Sequence, residues 1–405
     1  MTIDWNEVIH EAADTLGRLI RIPTVAGRGY ETEAARFIAA KAEAYGLFAR
    51  LYEPVPGAGS VVVSVPGQGP ENLLLLSHLD VAPPGNESEW RFPPFAGVEH
   101  DGAVWGRGAV DAKGLVVNWL VVMRLIIMGL KAEGRPLLRG IVMVASAGEE
   151  GGLYNGLQWL LDGGHLASCR WALAEGGGTP LEVGSRGVVL VQVAEKGVLQ
   201  ARLPPGFVSK RLSGRVRGAG GRAVAGLRAS FAAANWYPAW AARVVPTPFL
   251  DGRGGPSHFR VDLADQGSHT WEVDPASRVL TLRICPGSST AEALRRIAPR
   301  LGLSPRELEV LERLEPAGSP PEGPLYDTLR WQIGSSWDGA PAAPFCTPGH
   351  SDNRRLRAAG IPTYGFFPIP AETVVRQHRH DERLEVDQLR RAIEVSSSLV
   401  RRFCR

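Results

Sequence analysis

Three short apolar runs constrain this chain more than any other feature in it: Asn72–Ser77, Gly140–Ala145 and Cys169–Ala174. Each is too short for a core helix and is bounded by Gly, Pro or polar residues, so each reads as a buried strand. Ser60–Val65 has the same character, while Asp4–Gly17, Glu31–Tyr45, Leu115–Leu130 and Tyr154–Leu161 carry apolar residues at helical spacing. Strands alternating with helices imply an α/β fold with a mainly parallel central sheet covered on both faces. The three runs also end alike, in His78, in the pair Glu149–Glu150 and in Glu175. Open α/β sheets bind ligands beyond the carboxyl ends of their strands, so these side chains should converge on one rim.

After about Lys196 the pattern changes. Leu203–Arg222 is rich in Gly, Pro and Arg and lacks periodicity, and Arg222–Asn235 reads as a helix. His269–Val273 and Val279–Ile284 look like an antiparallel pair, Thr290–Arg300 a helix and Glu307–Arg313 an edge strand. This middle third is a small α+β insert. Beyond the Pro/Gly linker Gly318–Gly323, Leu325–Ile333 is helical, Thr363–Phe367 returns to a buried strand and Val386–Phe403 closes as an amphipathic helix. At 405 residues the chain exceeds what one core usually organises, and a first domain interrupted by a second accounts for the order.

Charge narrows the function. Lys and Arg number 45 against 42 Asp and Glu, a net +3 that is too small for a nucleic-acid binder. Cys169, Cys285, Cys346 and Cys404 are scattered, which argues against a thiolate metal site or a disulfide framework and favours a reducing cytoplasm. The first residues lack the basic start and apolar core of a secretory signal. Gly114–Leu130 is interrupted by Asn118 and Arg124, so a buried core helix is expected there and no membrane partner.

The chemistry-bearing residues cluster in short segments. His78 and Asp80 form an H-x-D at a strand end, where alternation puts both on one side. Asp80 can orient the imidazole as carboxylates do for metal-bound histidines. Gly106–Gly114, GRGAVDAKG, packs three glycines around Asp111 and Lys113 ahead of a buried helix. Adjacent Glu149 and Glu150 repel unless a cation or a shared proton relieves them. One can then bind a metal while its neighbour acts as general base. Gly349–Asp352 and His378–Arg383 complete the set. A donor set of His and carboxylate without sulfur suits zinc, or less tightly manganese or cobalt.

Taken together, SHLDVAPP, GRGAVDAKG, SAGEEGG, AEGGG, GHSD and HRHDER resemble the co-catalytic zinc exopeptidase and amidohydrolase family. That family includes acetylornithine deacetylase, succinyl-diaminopimelate desuccinylase, aminoacylase and glutamate carboxypeptidase. The resemblance implies a three-layer catalytic domain, residues 1–195 plus 316–405, interrupted by an α+β lid at 196–315. It implies two zinc ions, with His78 and Glu175 on one, Glu150 and His378 on the other, and Asp111 bridging, followed by a peptide that is often cis. Glu149 becomes the general base, and Asp80 orients His78. Arg283 matches a lid arginine that clamps a substrate carboxylate. The implied reaction is hydrolysis of an amide next to a free carboxylate, in short peptides or N-acyl amino acids. The alternatives are a dedicated biosynthetic deacylase and a metal-containing binding protein that has lost turnover.

The lid departs from that pattern. Glu195-Lys196-Gly197 is present, but Leu203–Arg222 lacks the histidine that stabilises the oxyanion in this family and often acts across a homodimer, and its absence weakens the homodimer that the resemblance implies. His258 or His269 could stand in for it. His350 falls near the expected substrate path and reads either as a local substitute for it or as a helix-start residue. His380 reads as solvent-exposed, and Trp236, Tyr237 and Trp240 as lid core.

Overall fold

The computed structural model describes residues 3–151, 154–181, 187–207, 213–217 and 268–405. The helix expected over Arg222–Asn235, the Trp236, Tyr237 and Trp240 cluster and His258 lie outside the described residues.

The central sheet has ten strands, running in the order Phe48–Tyr52, Ser60–Val65, Gly140–Ser146, Asn72–His78, Cys169–Ala174, Thr363–Gly365, Val188–Glu195 and Ala317–Gly318. Ala342–Thr347 and Pro180–Leu181 pair with Val188–Glu195 as well. The middle is parallel from Gly140–Ser146 through Thr363–Gly365, and so is the contact of Ala342–Thr347 with Val188–Glu195. The flanks are antiparallel, so the sheet is mixed around the expected parallel core.

Period-two alternation decides which side chains meet which layer. Leu73, Leu75, Ile141 and Met143 point into one core, shared with the helices Trp5–Ile20, Lys113–Glu133 and Val386–Cys404. Leu74, Leu76, Val142 and Val144 point the other way, against Leu157, Leu160 and Leu356. His78 continues the row of Leu74 and Leu76 past the last apolar residue. The helix Lys113–Glu133 has the length and apolarity to cross a membrane, yet every residue from Lys113 to Met123 is buried in this core.

A second sheet of five strands runs in the order Ser213–Arg217, Ser268–Asp274, Val279–Ile284, Gly197–Arg202 and Glu309–Leu314. It has its own core, with Leu199, Trp271, Leu280 and Leu282 against Leu294 and Ile297 of the helix Thr290–Ile297. Glu309–Leu314 lies at its edge, as expected, and Val279–Ile284 pairs antiparallel with Ser268–Asp274. Ser213–Arg217 is a strand inside the stretch that showed no periodicity; its Gly214 lies under the ring of Trp271, where a Cβ would meet the ring at 2.2 Å.

Buried polar groups lock the loop that carries Asp111. Glu382 accepts hydrogen bonds from the amides of Gly108, Val110 and Asp111 at 3.1, 2.9 and 3.1 Å and pairs with Arg107 at 2.5 Å. Lys113 Nζ donates to the carbonyls of Leu19 and Ile22, and burial pushes its ammonium down to about 7. Gly108 is left-handed, and a Cβ there would meet Val81 at 2.6 Å. Removing one member of a buried, hydrogen-bonded ion pair costs ~3–5 kcal/mol. Glu382→Ala should therefore lower the unfolding free energy by that amount in a denaturant titration. A loss below ~1 kcal/mol would show that the clamp is not needed for folding.

Candidate metal centre

The sheet and its loops bring His78, Asp111, Glu149, Glu150, Glu175 and His378 to one rim. His78 is buried, and its Nδ1–H donates to the carbonyl of Asp80 at 2.8 Å, which turns Nε2 towards the rim. That Nε2 lies 3.2 Å from Asp111 Oδ1, 3.4 Å from Glu175 Oε2 and 3.8 Å from Glu149 Oε2. His378, in left-handed backbone at φ 59°, brings its Nε2 to 3.1 Å from Asp111 Oδ2 and 2.9 Å from Glu150 Oε1. Each oxygen of Asp111 thus faces a different imidazole. The peptide that follows, Asp111–Ala112, is cis.

Asp80 works differently from the sequence expectation. Its backbone carbonyl, not its carboxylate, takes the hydrogen bond of His78, and Oδ1 stays 3.6 Å from Nδ1. The buried carboxylate instead accepts the amides of Gly148 and Glu149, both at 3.1 Å, and of Glu150 at 2.8 Å. It therefore sets the turn that presents both glutamates. Gly148 is needed in that turn: its φ is +78°, and a Cβ would come within 2.1 Å of the Tyr154 carbonyl. Asn155 donates to the Gly148 carbonyl at 3.0 Å and to Asp352 at 2.8 Å, bracing the turn from outside.

Electrostatics at the rim are severe. Burial, then the neighbouring Glu175, pushes the Glu149 carboxyl well above the usual carboxylate range, and burial raises Glu175 to about 7. Burial disfavours a charged His78, but Glu175, Asp111 and Asp80 around it overcome that and hold its pKa well above the ordinary value. Hydrogen bonds to Asp111 and Glu150 raise His378 to about 10. Cations belong here. Ligand atoms of His78, Asp111 and Glu150 lie within 4.8 Å of one another, as do those of His78, Glu149 and Glu175. The donors are imidazole nitrogen and carboxylate oxygen, while all four cysteines are buried elsewhere, so the set fits borderline divalent ions.

The rim opens into a cavity of about 250 Å³. Gln192, Glu195, Thr347, His350 and Ser351 also line it. Sequence reading gave no role to most of these, nor to Asp352, Asn155 and Glu382. The quoted GHSD and HRHDER segments do contain Asp352 and Glu382, so a signal was present without a role attached to it. His350 lines the cavity, three residues before the helix Asn353–Ala358, and is not a helix-start residue. Arg283 is outside the lining and donates to the Pro348 carbonyl at 2.8 Å, next to the Gly349–Ser351 wall. His269 is fully buried in the second sheet, accepts from the Cys285 amide and does not reach the cavity. His380 sits at the surface against Glu89 and the edge of Trp90.

A model of Peptidase family M20/M25/M40 matches residues 74–402. The chain belongs to this family. Aminoacylase-1 of Pongo abelii is 26% identical over 99% of this chain and 97% of its own length. Succinyl-diaminopimelate desuccinylase of Methylocella silvestris is 31% identical, but over only 40% of each chain. Among solved structures, an M20 family metallo-carboxypeptidase from Sulfolobus solfataricus aligns with a TM-score of 0.64 at 16% identity, covering 97% of this chain and 99% of that one. The chain is accordingly a metal-dependent hydrolase of the peptidase and amidohydrolase type, with the fold that the resemblance implied.

In the ion-free protein the imidazoles carry the protons that offset the carboxylates. A metal ion needs the neutral ring, so loading must expel protons, and apparent affinity must rise with pH below the raised pKa values. We expect one to two protons released per chain at pH 7, about tenfold in affinity per pH unit for each. Calorimetric titration with zinc in buffers of different ionisation enthalpy measures this. A heat independent of buffer would contradict it.

Proposed function

We propose that this chain is a two-zinc hydrolase of N-acyl amino acids or short peptides, cleaving the amide next to a free carboxylate. The observation that carries this is Asp111, whose two oxygens each face a different imidazole, 3.2 and 3.1 Å away. His78 and Glu175 would hold one ion, Glu150 and His378 the other, and Asp111 both; cobalt or manganese could substitute. When bound, the ions would supply a water of lowered pKa and polarise the substrate carbonyl.

Glu149 is the general base. Among the described residues its carboxylate accepts no hydrogen bond, and its raised pKa suits a group that takes and returns a proton. It removes the proton of the attacking water and delivers it to the leaving nitrogen as the C–N bond breaks. Asp80 positions Glu149 and Glu150 through their amides, and His78 through its own carbonyl. Arg283, at the edge of the cavity wall, receives the substrate carboxylate with the N–H groups that Pro348 does not use.

N-acyl amino acids rank ahead of a dedicated desuccinylase reaction because the aminoacylase-1 match runs the length of the chain while the desuccinylase match covers 40%. The interruption between residues 195 and 316 is read as a lid on the catalytic domain, supported by its separate core. A homodimer through this lid remains a proposal of the family resemblance. Free, buried cysteines support a reducing cytoplasmic location.

The test is turnover of N-acetyl amino acids and dipeptides by zinc-loaded protein, with a chelator and Glu149→Gln as comparisons. A general base contributes about 10²–10⁴ in rate. We expect kcat to fall by that factor in Glu149→Gln while zinc content stays constant, and chelator to abolish turnover. Zinc binding without any hydrolysis above the variant would instead favour a binding protein.

A further inference from the structure

We infer that Gln192 and Asn353 are positioning residues for Glu175, and that through it they set the affinity of the first ion, between His78 and Glu175, but not that of the second. This rests on the two-ion reading of the rim and deepens it.

Glu175 lies outside the loops that Asp80 and Glu382 fix. It ends the strand Cys169–Ala174 and is followed by three glycines, of which Gly176 and Gly178 have φ of +93° and +87°. Such backbone is permissive and has to be held from outside if its carboxylate is to stay at the rim. Asn353 supplies one hold: its Nδ2 donates to the Glu175 carbonyl at 3.0 Å and to Gln192 Oε1 at 2.8 Å. Gln192 supplies another by packing against the glycines. A Cβ on Gly176 would come within 3.0 Å of Gln192 Nε2, and one on Gly177 within 2.6 Å of the Gln192 amide nitrogen. Both side chains are buried.

The Gln192 amide can sit only one way round. A guanidinium donates and never accepts, so Oε1 is the atom that faces Arg357 Nη2 at 2.8 Å. Nε2 then donates to Glu195 Oε1 at 3.3 Å and to Thr347 Oγ1 at 3.1 Å. Arg357 and Glu195, themselves an ion pair at 3.3 Å, thus stand one at each end of the amide and aim its oxygen at Asn353. A neutral amide suits this place, because a carboxylate would add like charge to a crowded rim. The Oδ1 of Asn353 accepts no hydrogen bond among the described residues. A buried oxygen without a donor is costly, so what Asn353 contributes is its N–H groups.

The test measures metal affinity rather than turnover. Zinc binding is followed by competition with a chromophoric chelator in two backgrounds: His378→Ala, which leaves the first ion, and Glu175→Ala, which leaves the second. Groups that orient metal ligands are worth about 10–100-fold in affinity, so adding Asn353→Ala should weaken zinc about tenfold or more in the His378→Ala background. In the Glu175→Ala background the change should stay below about threefold. Gln192→Met keeps the length and removes the amide, and should act in the same direction. Circular dichroism verifies each fold, and Gln192→Met decides the matter if Asn353→Ala does not fold. Equal weakening in both backgrounds would mean a role in stability alone and overturn the inference, as would unchanged affinity in the His378→Ala background. Fewer than two ions in the wild-type chain would overturn the two-ion reading itself; two ions there, with no effect of these substitutions, would overturn only the brace.

Discussion

Two imidazoles and four carboxylates meet at one rim of the central sheet, and the cost of that meeting governs the rest of the site. Asp111 faces His78 with one oxygen and His378 with the other, while Glu175 and Glu150 close in from either side. With both rings neutral the cluster would hold four negative charges, and carboxylates sharing a buried site cannot all ionise without compensation. Protons on the rings supply it in the ion-free chain. Divalent cations supply it more fully, and they also give the cluster a chemical purpose.

Holding such a cluster together requires acids that never touch the proposed ions. Asp80 fixes the Gly148–Glu150 turn through three amides, Glu382 fixes the Gly108–Asp111 loop through three more, and Asp352 takes Asn155 behind the first turn. Backbone amides are suited to this because they donate in fixed directions and carry no formal charge. The repulsion inside the rim is thereby opposed by rigid loops. Asp80 has two functions, one for its carboxylate and one for its carbonyl, and so links the first proposed ligand to the proposed base.

Much of this was legible in the sequence because it rests on local patterns. The strands Ser60–Val65, Cys169–Ala174 and Val279–Ile284 were delimited residue for residue by their flanking turn and polar residues. The gathering of His78, Glu149, Glu150 and Glu175 followed from parallel strands ending on one rim. Val188–Glu195 and Gly197–Arg202 escaped notice because the chain passes from one sheet to the other across Lys196 alone, with no turn residues between them. Asp80 was assigned to the correct neighbour by the wrong atoms, since spacing along a strand cannot tell a carbonyl from a carboxylate. Lys113 had no explanation in sequence; its ammonium ties two carbonyls at the end of the first helix, Leu19 and Ile22, to the Asp111 loop.

The central claim is that this rim holds two ions that share Asp111, and counting them is its most direct test. Zinc bound per chain would be measured at equilibrium for the wild type, His378→Ala and Asp111→Ala, with circular dichroism to verify folding. The account predicts two ions in the wild type, one in His378→Ala, and loss of tight binding at both positions in Asp111→Ala. A single ion in the wild type, or two that survive removal of Asp111, would contradict it.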